Sequence, residues 1–367
     1  MGLISTNFAV DKPRAALRSR AGASIVVGAL LALSTSFTSA TDACQSRGDL
    51  DERYCDENQE FVADLPTDPK KWKDPPFLLF TYSPLEDPAV YEKVLENYVD
   101  HLKACTGKRV HFYSVLSNAA AIEAMRSGRM HLGMFSTGDT AFAVNLAGAI
   151  PFAIRGDAKG QQGYQLWTIV KADGPYQKLV DLKGKKVAHV SPSSNSGNLA
   201  PRALIAAEGL VPDKDYKVLY SGRHENSVTG VSTGDYDAAH VASDVVQRME
   251  DRGLIKRGEM RVLYRSPPFP PGSMSMAHDL KPELQKKIRE CVLSYHYSPE
   301  MIKAFQGADR WWPVDYRRDW ESIRKVAAAS GEAFDRTLRR SPRRPCESLP
   351  NRADTRPATS DRRPGTP

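Results

Sequence analysis

Ser194, Asn195 and Ser196 stand side by side in a loop that is dense in hydroxyl and amide groups. The apolar residues before them predict a buried strand at 185–190, and a helix is expected to begin near Gly197. The start of a helix leaves about four backbone N–H groups without partners, and these groups carry partial positive charge. Together with three polar side chains, these groups, including the backbone of Gly197, could bind a small tetrahedral or carboxylate anion. The same residue types also serve as plain helix caps, and this segment alone leaves both interpretations open.

Four further residues could contribute hydrogen bonds to such an anion. His224 stands where a predicted strand meets a helix, so it could bind an anion, cap its own helix or be exposed to solvent. Tyr164 precedes a predicted strand at 165–171 and could offer its hydroxyl to a ligand or pack at a hinge. Ser136 and Thr137 follow another predicted strand and could form the opposite wall of a cleft, or cap the next helix.

Motifs for catalysis and metal binding are missing from the sequence. It contains no G-x-S-x-G elbow, no H-E-x-x-H pair and no phosphate-binding P-loop. Its five cysteines have no metal-site spacing, and its eight histidines form no cluster. We therefore expect a protein that is not an enzyme and that binds no metal and no cofactor.

The first 40 residues predict an export signal. Four basic residues precede an apolar run from Ala23 to Leu33, and small residues suited to cleavage follow near Ala40 and Ala43. The apolar run is too short to predict a membrane span. We therefore expect an exported, soluble protein.

Export makes disulfide bonds the expected state of the cysteines. Cys44 and Cys55 are close enough in sequence to close a small loop. Cys105 and Cys291 each fall on a predicted helix and could pair if those helices pack together. Cys346 would then be left over, and the spacing alone does not fix this connectivity.

The net charge of +7 comes from the two ends of the 367-residue chain. Residues 1–40 contribute +3 and residues 336–367, which include nine arginines, contribute +6, so residues 41–335 carry −2. A body that is close to neutral does not favour nucleic-acid binding. The segment 336–367 is rich in Pro and Arg and is predicted to be a disordered tail.

These candidate residues require an α/β fold to position them. The first part alternates predicted strands and helices: 76–82, 90–105, 109–115, 119–127 and 130–136. After the strand at 165–171 the pattern restarts with further strands: 185–190, 216–220, 238–241 and 260–264. Residues 274–335 are predicted to be mainly helical, with Trp311 and Trp312 packing among these last helices.

A second α/β unit is thus predicted inside the first. The predicted segments are an irregular leader, a discontinuous first lobe and a second lobe: 41–75, 76–165 with 272–335, and 166–271. Two crossovers near 160–172 and 264–276 would join the lobes as a hinge. A ligand would lie between the lobes, where strands end and helices begin.

Eight short motifs follow one another over residues 76–334. They are Tyr98 to Lys108, Ala120 to Arg129, Gly148 to Pro151, Gly163-Tyr164, Asp181 to Val187, Pro192 to Pro201, Ser221 to His224, and Tyr264 to Pro268. Together they resemble the phosphate, phosphite and phosphonate substrate-binding proteins of ABC importers. The resemblance implies a two-lobed, type II-like periplasmic-binding-protein fold of the α/β class, with two crossover strands at the hinge.

The resemblance also implies roles for individual residues. In that family a Ser-Thr-Ser run, a histidine and two tyrosines hold the oxyanion. Ser194, Asn195 and Ser196 match the run, with Asn in place of Thr. His224 matches the histidine, and Tyr164 matches the tyrosine at the first crossover.

Three positions depart from the family pattern. Asn118 stands where the family has the tyrosine of the first lobe, and from that position it is predicted to bind the ligand. Gly272 stands where the family has an aspartate that contacts the ligand. His131 replaces an acid in a strand. Without the aspartate, selection for protonated phosphonates or aminophosphonates is expected to weaken, whereas the donors for an oxyanion remain.

The function implied by the resemblance is that of the periplasmic component of an ABC importer. It would act as a monomer, capture a small phosphate-like anion and deliver it to the permease subunits in the membrane. Two alternatives stay open: a periplasmic sensor or adaptor, including a receptor repurposed for another ligand, and an enzyme on the same scaffold. The enzyme would need a nucleophile or an acid–base pair that the sequence does not supply.

Overall fold

The computed structural model describes residues 44–331 and residue 334. The predicted export signal at 1–40, the predicted tail at 336–367 and Cys346 lie outside the described residues. In the described part of the chain, no helix is both long and apolar enough to cross a membrane.

The segment from Cys44 to residue 75 is irregular apart from a 3₁₀ turn at Pro69–Lys71. It nevertheless packs against the body, because Leu50 and Tyr54 are buried there. A disulfide bond between Cys44 and Cys55 closes a small loop in this segment, as the spacing predicted.

The first part of the body alternates strands and helices as its hydrophobic pattern predicts. Its elements are β1 (Phe77–Tyr82), α1 (Pro88–Val94), α2 (Glu96–Thr106), β2 (Arg109–Phe112), α3 (Asn118–Arg126), β3 (Leu132–Phe135), α4 (Thr137–Ala147), β4 (Ala149–Asp157) and β5 (Gly160–Gln161). The single helix predicted at 90–105 is divided into α1 and α2 at Leu95, which is fully buried. Gly107 ends α2 in the left-handed conformation that favours glycine, with φ of 71°.

The second part forms another α/β unit. Its strands and helices are β6 (Leu166–Lys171), β7 (Lys186–His189), β8 (Lys217–Tyr220), α5 (His224–Thr233), β9 (Ala238–Ala242), α6 (Ser243–Asp251) and β10 (Met260–Arg265), with a 3₁₀ turn at Leu179–Leu182. The helix predicted after β7 is present as two π-helical segments, Asn195–Leu199 and Pro201–Ile205. The wide turn is visible at Ala200, whose N–H donates to the Asn195 carbonyl five residues back.

The last part of the body is less helical than the sequence predicted. Its elements are β11 (Ser273–Ala277), α7 (Pro282–Leu293), α8 (Pro299–Ala304), β12 (Arg310–Pro313), α9 (Tyr316–Asp319) and α10 (Glu321–Ser330). The prediction of a mainly helical segment was wrong for β11 and β12. Trp311 is buried in the core as expected, but it lies on β12 rather than on a helix.

The strands form two sheets over the described residues. The first sheet has the order β12-β4-β11-β3-β1-β2, with β5 attached to β4, and the second has the order β10-β6-β9-β7-β8. In the first sheet β2, β1 and β3 are parallel, whereas β11, β4 and β12 run antiparallel to their neighbours. In the second sheet β8, β7 and β9 are parallel, and β6 is antiparallel to β9 and β10. The predicted two-lobed α/β fold is confirmed.

Two stretches of chain connect the sheets, and they lie side by side. One precedes β6 and the other follows β10. Their backbones pair antiparallel at Tyr164 and Phe269, with N···O distances of 3.1 and 2.7 Å. Both crossings between the sheets therefore pass through one narrow region.

A second disulfide bond stabilises the first part of the fold. Cys105 at the end of α2 and Cys291 in α7 are bonded, with their Cα atoms 5.7 Å apart. The two helices pack together, which was the condition stated for this pairing.

Candidate functional site

A cavity of about 40 Å³ lies between the two sheets and has walls from both. The ends of β1 and β3 supply the wall on the first sheet, and the loop after β7 with the starts of α5 and α6 supplies the other. A single buried water needs roughly 10–15 Å³ on this scale, so the space suits about three waters or one compact tetrahedral anion.

The loop after β7 places three predicted residues on the wall of this cavity. Ser194, Asn195 and Ser196 are almost completely buried, and all three line the cavity. Gly197 does not line it. A Cβ atom at position 197 would lie 2.5 Å from Cβ of Val190, so the helix start can approach β7 closely only with glycine there.

Ser194 is both a helix cap and a potential ligand donor. Its Oγ accepts a hydrogen bond from the Gly197 N–H at 3.1 Å, which is the capping interaction. The Nε2 atom of His224 lies 3.4 Å from the same oxygen. Since a hydroxyl has one proton and two lone pairs, these two contacts leave the Ser194 proton available to a ligand oxygen.

His224 begins α5 and is buried, so it neither faces solvent nor merely caps its helix. Its Nδ1 accepts a hydrogen bond from the Ala242 N–H at 3.1 Å. Burial lowers the pKa of His224 to about 4. The imidazole is therefore neutral near pH 7, and its proton lies on Nε2, where it can be donated to Ser194 or to a ligand.

Tyr164 and Asn195 both line the cavity and are hydrogen-bonded to each other. Nδ2 of Asn195 donates to the Tyr164 hydroxyl at 3.1 Å. Burial raises the pKa of Tyr164, so the hydroxyl keeps its proton as a donor. Oδ1 of Asn195 is buried and has no hydrogen-bond partner among the described residues. The backbone of Tyr164 also pairs with Phe269 where the two crossovers meet, which agrees with the predicted position at a hinge.

Ser136 and Thr137 form part of the opposite wall, at the start of α4. Oγ of Ser136 donates to Oδ2 of Asp139 at 2.6 Å, and Oγ1 of Thr137 donates to the Pro270 carbonyl at 2.9 Å. Each hydroxyl proton is already used, so both side chains offer lone pairs to the cavity.

Asp139 is a buried carboxylate that the sequence analysis did not single out. Besides Ser136, it accepts hydrogen bonds from Ser193 at 2.5 Å and from Ser83 at 3.2 Å. Burial raises its pKa to about 6, against the effect of these hydroxyls. Asp139 follows Ser136 by three positions, which is the Ser-x-x-acid pattern of a helix start. This pattern could have identified Asp139 from the sequence.

Asp244 and Arg155, unlike Asp139, line the cavity, and the sequence analysis did not single out either of them. Oδ2 of Asp244 accepts a hydrogen bond from Arg248 at 2.8 Å, whereas its Oδ1 is buried without a hydrogen-bond partner in the described part of the chain. Burial acts to raise the pKa of Asp244, but Arg248 and Arg155 outweigh it and the pKa is lowered. Asp244 therefore stays ionised and presents an acceptor.

The three positions that depart from the expected pattern have physical explanations. At Gly272 a Cβ atom would lie only 2.1 Å from the Phe135 carbonyl oxygen, so this backbone leaves no room for an aspartate. Asn118 is buried at the start of α3 and does not line the cavity, although it was predicted to bind ligand. His131 accepts a hydrogen bond from the Leu79 N–H at 3.1 Å through Nδ1, which is a role within the first sheet.

Among the described residues, one group combines potential metal ligands: Cys44, Cys55 and Glu57. The two sulfurs are joined in a disulfide bond, so they are not free thiolates.

The chain resembles known binding proteins in sequence and in structure. The sequence profile described as "ABC transporter, phosphonate, periplasmic substrate-binding protein" matches residues 80–320. The "Phosphate-import protein PhnD" of Mycolicibacterium smegmatis is 30% identical over 220 residues, which are 56% of this chain and 68% of that protein. The "Phosphonates-binding periplasmic protein" of Escherichia coli is 24% identical over 230 residues, which are 62% of this chain and 68% of that protein.

Solved structures share the fold. The binding protein component of an ABC phosphonate transporter from Pseudomonas aeruginosa has a TM-score of 0.63 at 22% identity, covering 70% of this chain and 87% of that one. A PhnD protein from Prochlorococcus marinus, solved in complex with methylphosphonate, also has a TM-score of 0.63, at 18% identity, covering 71% of this chain and 100% of that one. The family resemblance inferred from the motifs is confirmed.

Proposed function

Because the chain belongs to the family of periplasmic substrate-binding proteins of phosphonate ABC transporters, we propose that it captures a small phosphate-like oxyanion between its two sheets. It delivers this anion to the permease subunits of an importer in the membrane and works as a single chain in the periplasm. Relatives named for phosphate import and for phosphonate binding support this range of ligands.

The convergence of hydrogen-bond donors on one cavity between the sheets carries this proposal. Ser194 and Tyr164 keep hydroxyl protons that a ligand oxygen can accept, and His224 adds its Nε2 proton. These groups come from separate segments that meet between the sheets. A cavity of about 40 Å³ favours an anion without a long substituent.

Closure of two lobes explains how binding is signalled to the permease. We assign 76–165 with 272–335 to the first lobe and 166–271 to the second, with the paired crossovers at Tyr164 and Phe269 as the hinge. A ligand that contacts both lobes only in the closed form shifts the population toward that form. The permease can then distinguish the loaded protein from the free one by its shape.

Binding without turnover is the activity that the cavity supports. Nδ1 of His224 already accepts the Ala242 N–H, and Asp139 is held by three serine hydroxyls. Neither group is arranged to remove a proton from a bound nucleophile.

Calorimetric titration of the purified protein tests the proposal. The ligands are phosphate, phosphite, methylphosphonate and methanesulfonate, each titrated separately. We expect saturable one-to-one binding of at least one phosphorus oxyanion, without product in the sample afterwards. Absence of binding by all four would contradict the oxyanion assignment, and release of a product would contradict the assignment as a binding protein.

A further inference from the structure

Arg155 on β4 is a buried cation that forms no direct ion pair among the described residues, although its charge helps to lower the pKa of the nearby Asp244. The residue is 8% exposed and lines the cavity. In the described part of the chain, its side chain makes no ion pair and no hydrogen bond, and its guanidinium lies 4.6 Å from the centroid of the Phe305 ring. An isolated buried charge is costly unless it is paired, so an arginine retained in this position needs a partner.

The neighbouring arginines are paired, which makes Arg155 different from them. Arg248 donates to Glu86 at 2.7 Å and to Asp244 at 2.8 Å. Arg252 donates to the other oxygen of Glu86 at 2.7 Å. Three guanidinium groups thus face two carboxylates in this cluster, and the positive charge of Arg155 is left over at the cavity.

Hydrogen-bond acceptors also line the cavity. Oδ1 of Asp244 is buried without a partner among the described residues, and Ser136 offers only lone pairs. A fully ionised ligand would be repelled by these acceptors, whereas a ligand with one ionised oxygen and one protonated oxygen satisfies both them and Arg155.

We infer that Arg155 contacts the bound anion directly: its guanidinium donates to an ionised oxygen of the ligand, and Asp244 accepts a hydrogen bond from a protonated oxygen of the same ligand. The inference rests on the proposed oxyanion-binding function. It names the ligand class as a tetrahedral anion that still carries one acid proton.

The experiment compares Arg155→Met with wild type by titration of inorganic phosphate and of methylphosphonate. Methionine keeps an unbranched stem over Phe305 and removes the charge. We expect the affinity of the variant to fall roughly 10- to 100-fold, the usual effect of losing a hydrogen bond to a charged group. The melting temperature of the ligand-free variant should stay the same or rise, because an unpaired buried charge is removed. A role in packing alone would instead lower the melting temperature.

Two further variants keep the test decisive. Arg265→Met is the matched control, because the guanidinium of Arg265 also lies over an aromatic ring, 5.2 Å from the centroid of Trp167, but outside the cavity wall. Its affinity should equal that of wild type. Arg155→Lys retains the charge and should bind more tightly than Arg155→Met, so it replaces that variant if the latter does not fold. If wild type binds the anions and Arg155→Met binds them equally well, the inference about Arg155 is wrong while the proposed function stands.

Asp244→Asn tests the second half of the inference. Methanesulfonate has the shape of methylphosphonate but carries no acid proton near pH 7. Wild type should prefer methylphosphonate, and the variant should reduce this preference because an amide can donate to an ionised oxygen. If the variant keeps the full preference for methylphosphonate over methanesulfonate, Asp244 does not accept a hydrogen bond from the ligand. Failure of wild type to bind any of these anions would instead contradict the proposed function itself.

Discussion

Nε of Arg248 in α6 lies 2.7 Å from Oε2 of Glu86, which follows β1, and both side chains are buried. The two residues are 162 positions apart in the sequence and belong to different sheets. The same arginine also holds Asp244 on the cavity wall. One side chain thus connects the contact between the sheets to the site where we propose that the ligand binds.

Glu86→Gln should weaken ligand binding without any change in the cavity wall. Glu86 also accepts a hydrogen bond from the Tyr91 hydroxyl at 2.5 Å, and a neutral amide cannot satisfy the two arginines as the carboxylate does. Loss of one partner from a buried ion pair costs about 3–5 kcal/mol of stability. Because this ion pair joins the two parts of the fold, part of that loss should destabilise the closed form that is proposed to bind the ligand. We expect at least a roughly tenfold fall in affinity by calorimetry. Glu321→Gln, which removes an exposed pair with Lys325, is the control and should bind normally.

Ser196→Ala and His224→Ala should each weaken ligand binding by about 1–3 kcal/mol. Each substitution removes a buried polar group that is proposed to hydrogen-bond to the anion or to another residue that binds it. Titration of phosphate or methylphosphonate measures this loss. The exposed Ser294, replaced by alanine, serves as the control. Unchanged affinity in both cavity variants would show that the oxyanion lies elsewhere.

Gly138→Ala should oppose closure while leaving each sheet intact. A Cβ atom at position 138 would lie 2.0 Å from the carbonyl oxygen of Ser193, which belongs to the other sheet's loop. Alanine is favoured over glycine in a helix by up to about 1 kcal/mol, so α4 itself should not be destabilised. We expect weaker ligand binding, with a ligand-free melting temperature that does not fall. Gly174→Ala is the control, since the nearest atom there is 3.1 Å away and lies far from the cavity. A variant that binds as tightly as wild type would show that the close approach of Gly138 to the Ser193 carbonyl is not needed for binding.

The stability of the protein should fall as the pH drops from about 6.5 to 4. Burial lowers the pKa of His189 and of His224 to about 4, and it lowers the pKa of His240 well below its ordinary value. The unfolded chain takes up protons on these residues below its ordinary pKa of about 6.5, whereas the folded chain does not, so each histidine costs up to about 1.4 kcal/mol per pH unit in this window. Asp139, whose pKa is raised to about 6, has the opposite effect below pH 6 but offsets only one of the three.

Urea denaturation at several pH values measures this slope. His189→Gln should reduce it, whereas replacement of the exposed His111 should leave it unchanged. Equal slopes for His189→Gln and wild type would show that His189 does not produce the acid sensitivity.

Replacement of both Cys105 and Cys291 by alanine should destabilise the protein more than replacement of Cys44 and Cys55. The first bond joins residues 186 positions apart and the second joins residues 11 positions apart. Loop-closure entropy gives roughly 5 kcal/mol for the long loop and roughly 3 kcal/mol for the short one, as upper values. Chemical denaturation of the two double variants compares them directly, and the opposite ranking would contradict the entropic explanation.

Much of the fold and part of the site were predictable because they depend on local patterns. Hydrophobic runs between polar turns located β1, β3 and β7, and the helix-start composition of Ser194 to Gly197 located the loop that lines the cavity. β11 escaped prediction because its serines and methionines have little intrinsic strand preference. Buried serine hydroxyls need hydrogen-bond partners, and those of β11 find them in the packed structure, as in the contact of 2.9 Å between Ser273 and Thr140.

The charged half of the site could not be predicted, because it depends on pairings across the sheets. A lone arginine in β4 and an aspartate after β9 have no local property that distinguishes them from surface charges. Only the packed structure shows that Asp244 shares Arg248 with Glu86 and that Arg155 lies at the cavity without a direct ion pair among the described residues. Gly272 is similar, since the carbonyl oxygen of Phe135 that excludes a side chain comes from a distant strand.

The bond between Cys105 and Cys291 also determines how the molecule would carry a mechanical load. A pull applied to the two ends of the folded body would pass from α2 through the sulfur atoms into α7. The intervening chain, which includes the whole second sheet and both crossovers, would form a side branch that bears no tension. The second lobe proposed above would therefore be shielded from force on the ends of the body, and its proposed closure would respond to the ligand.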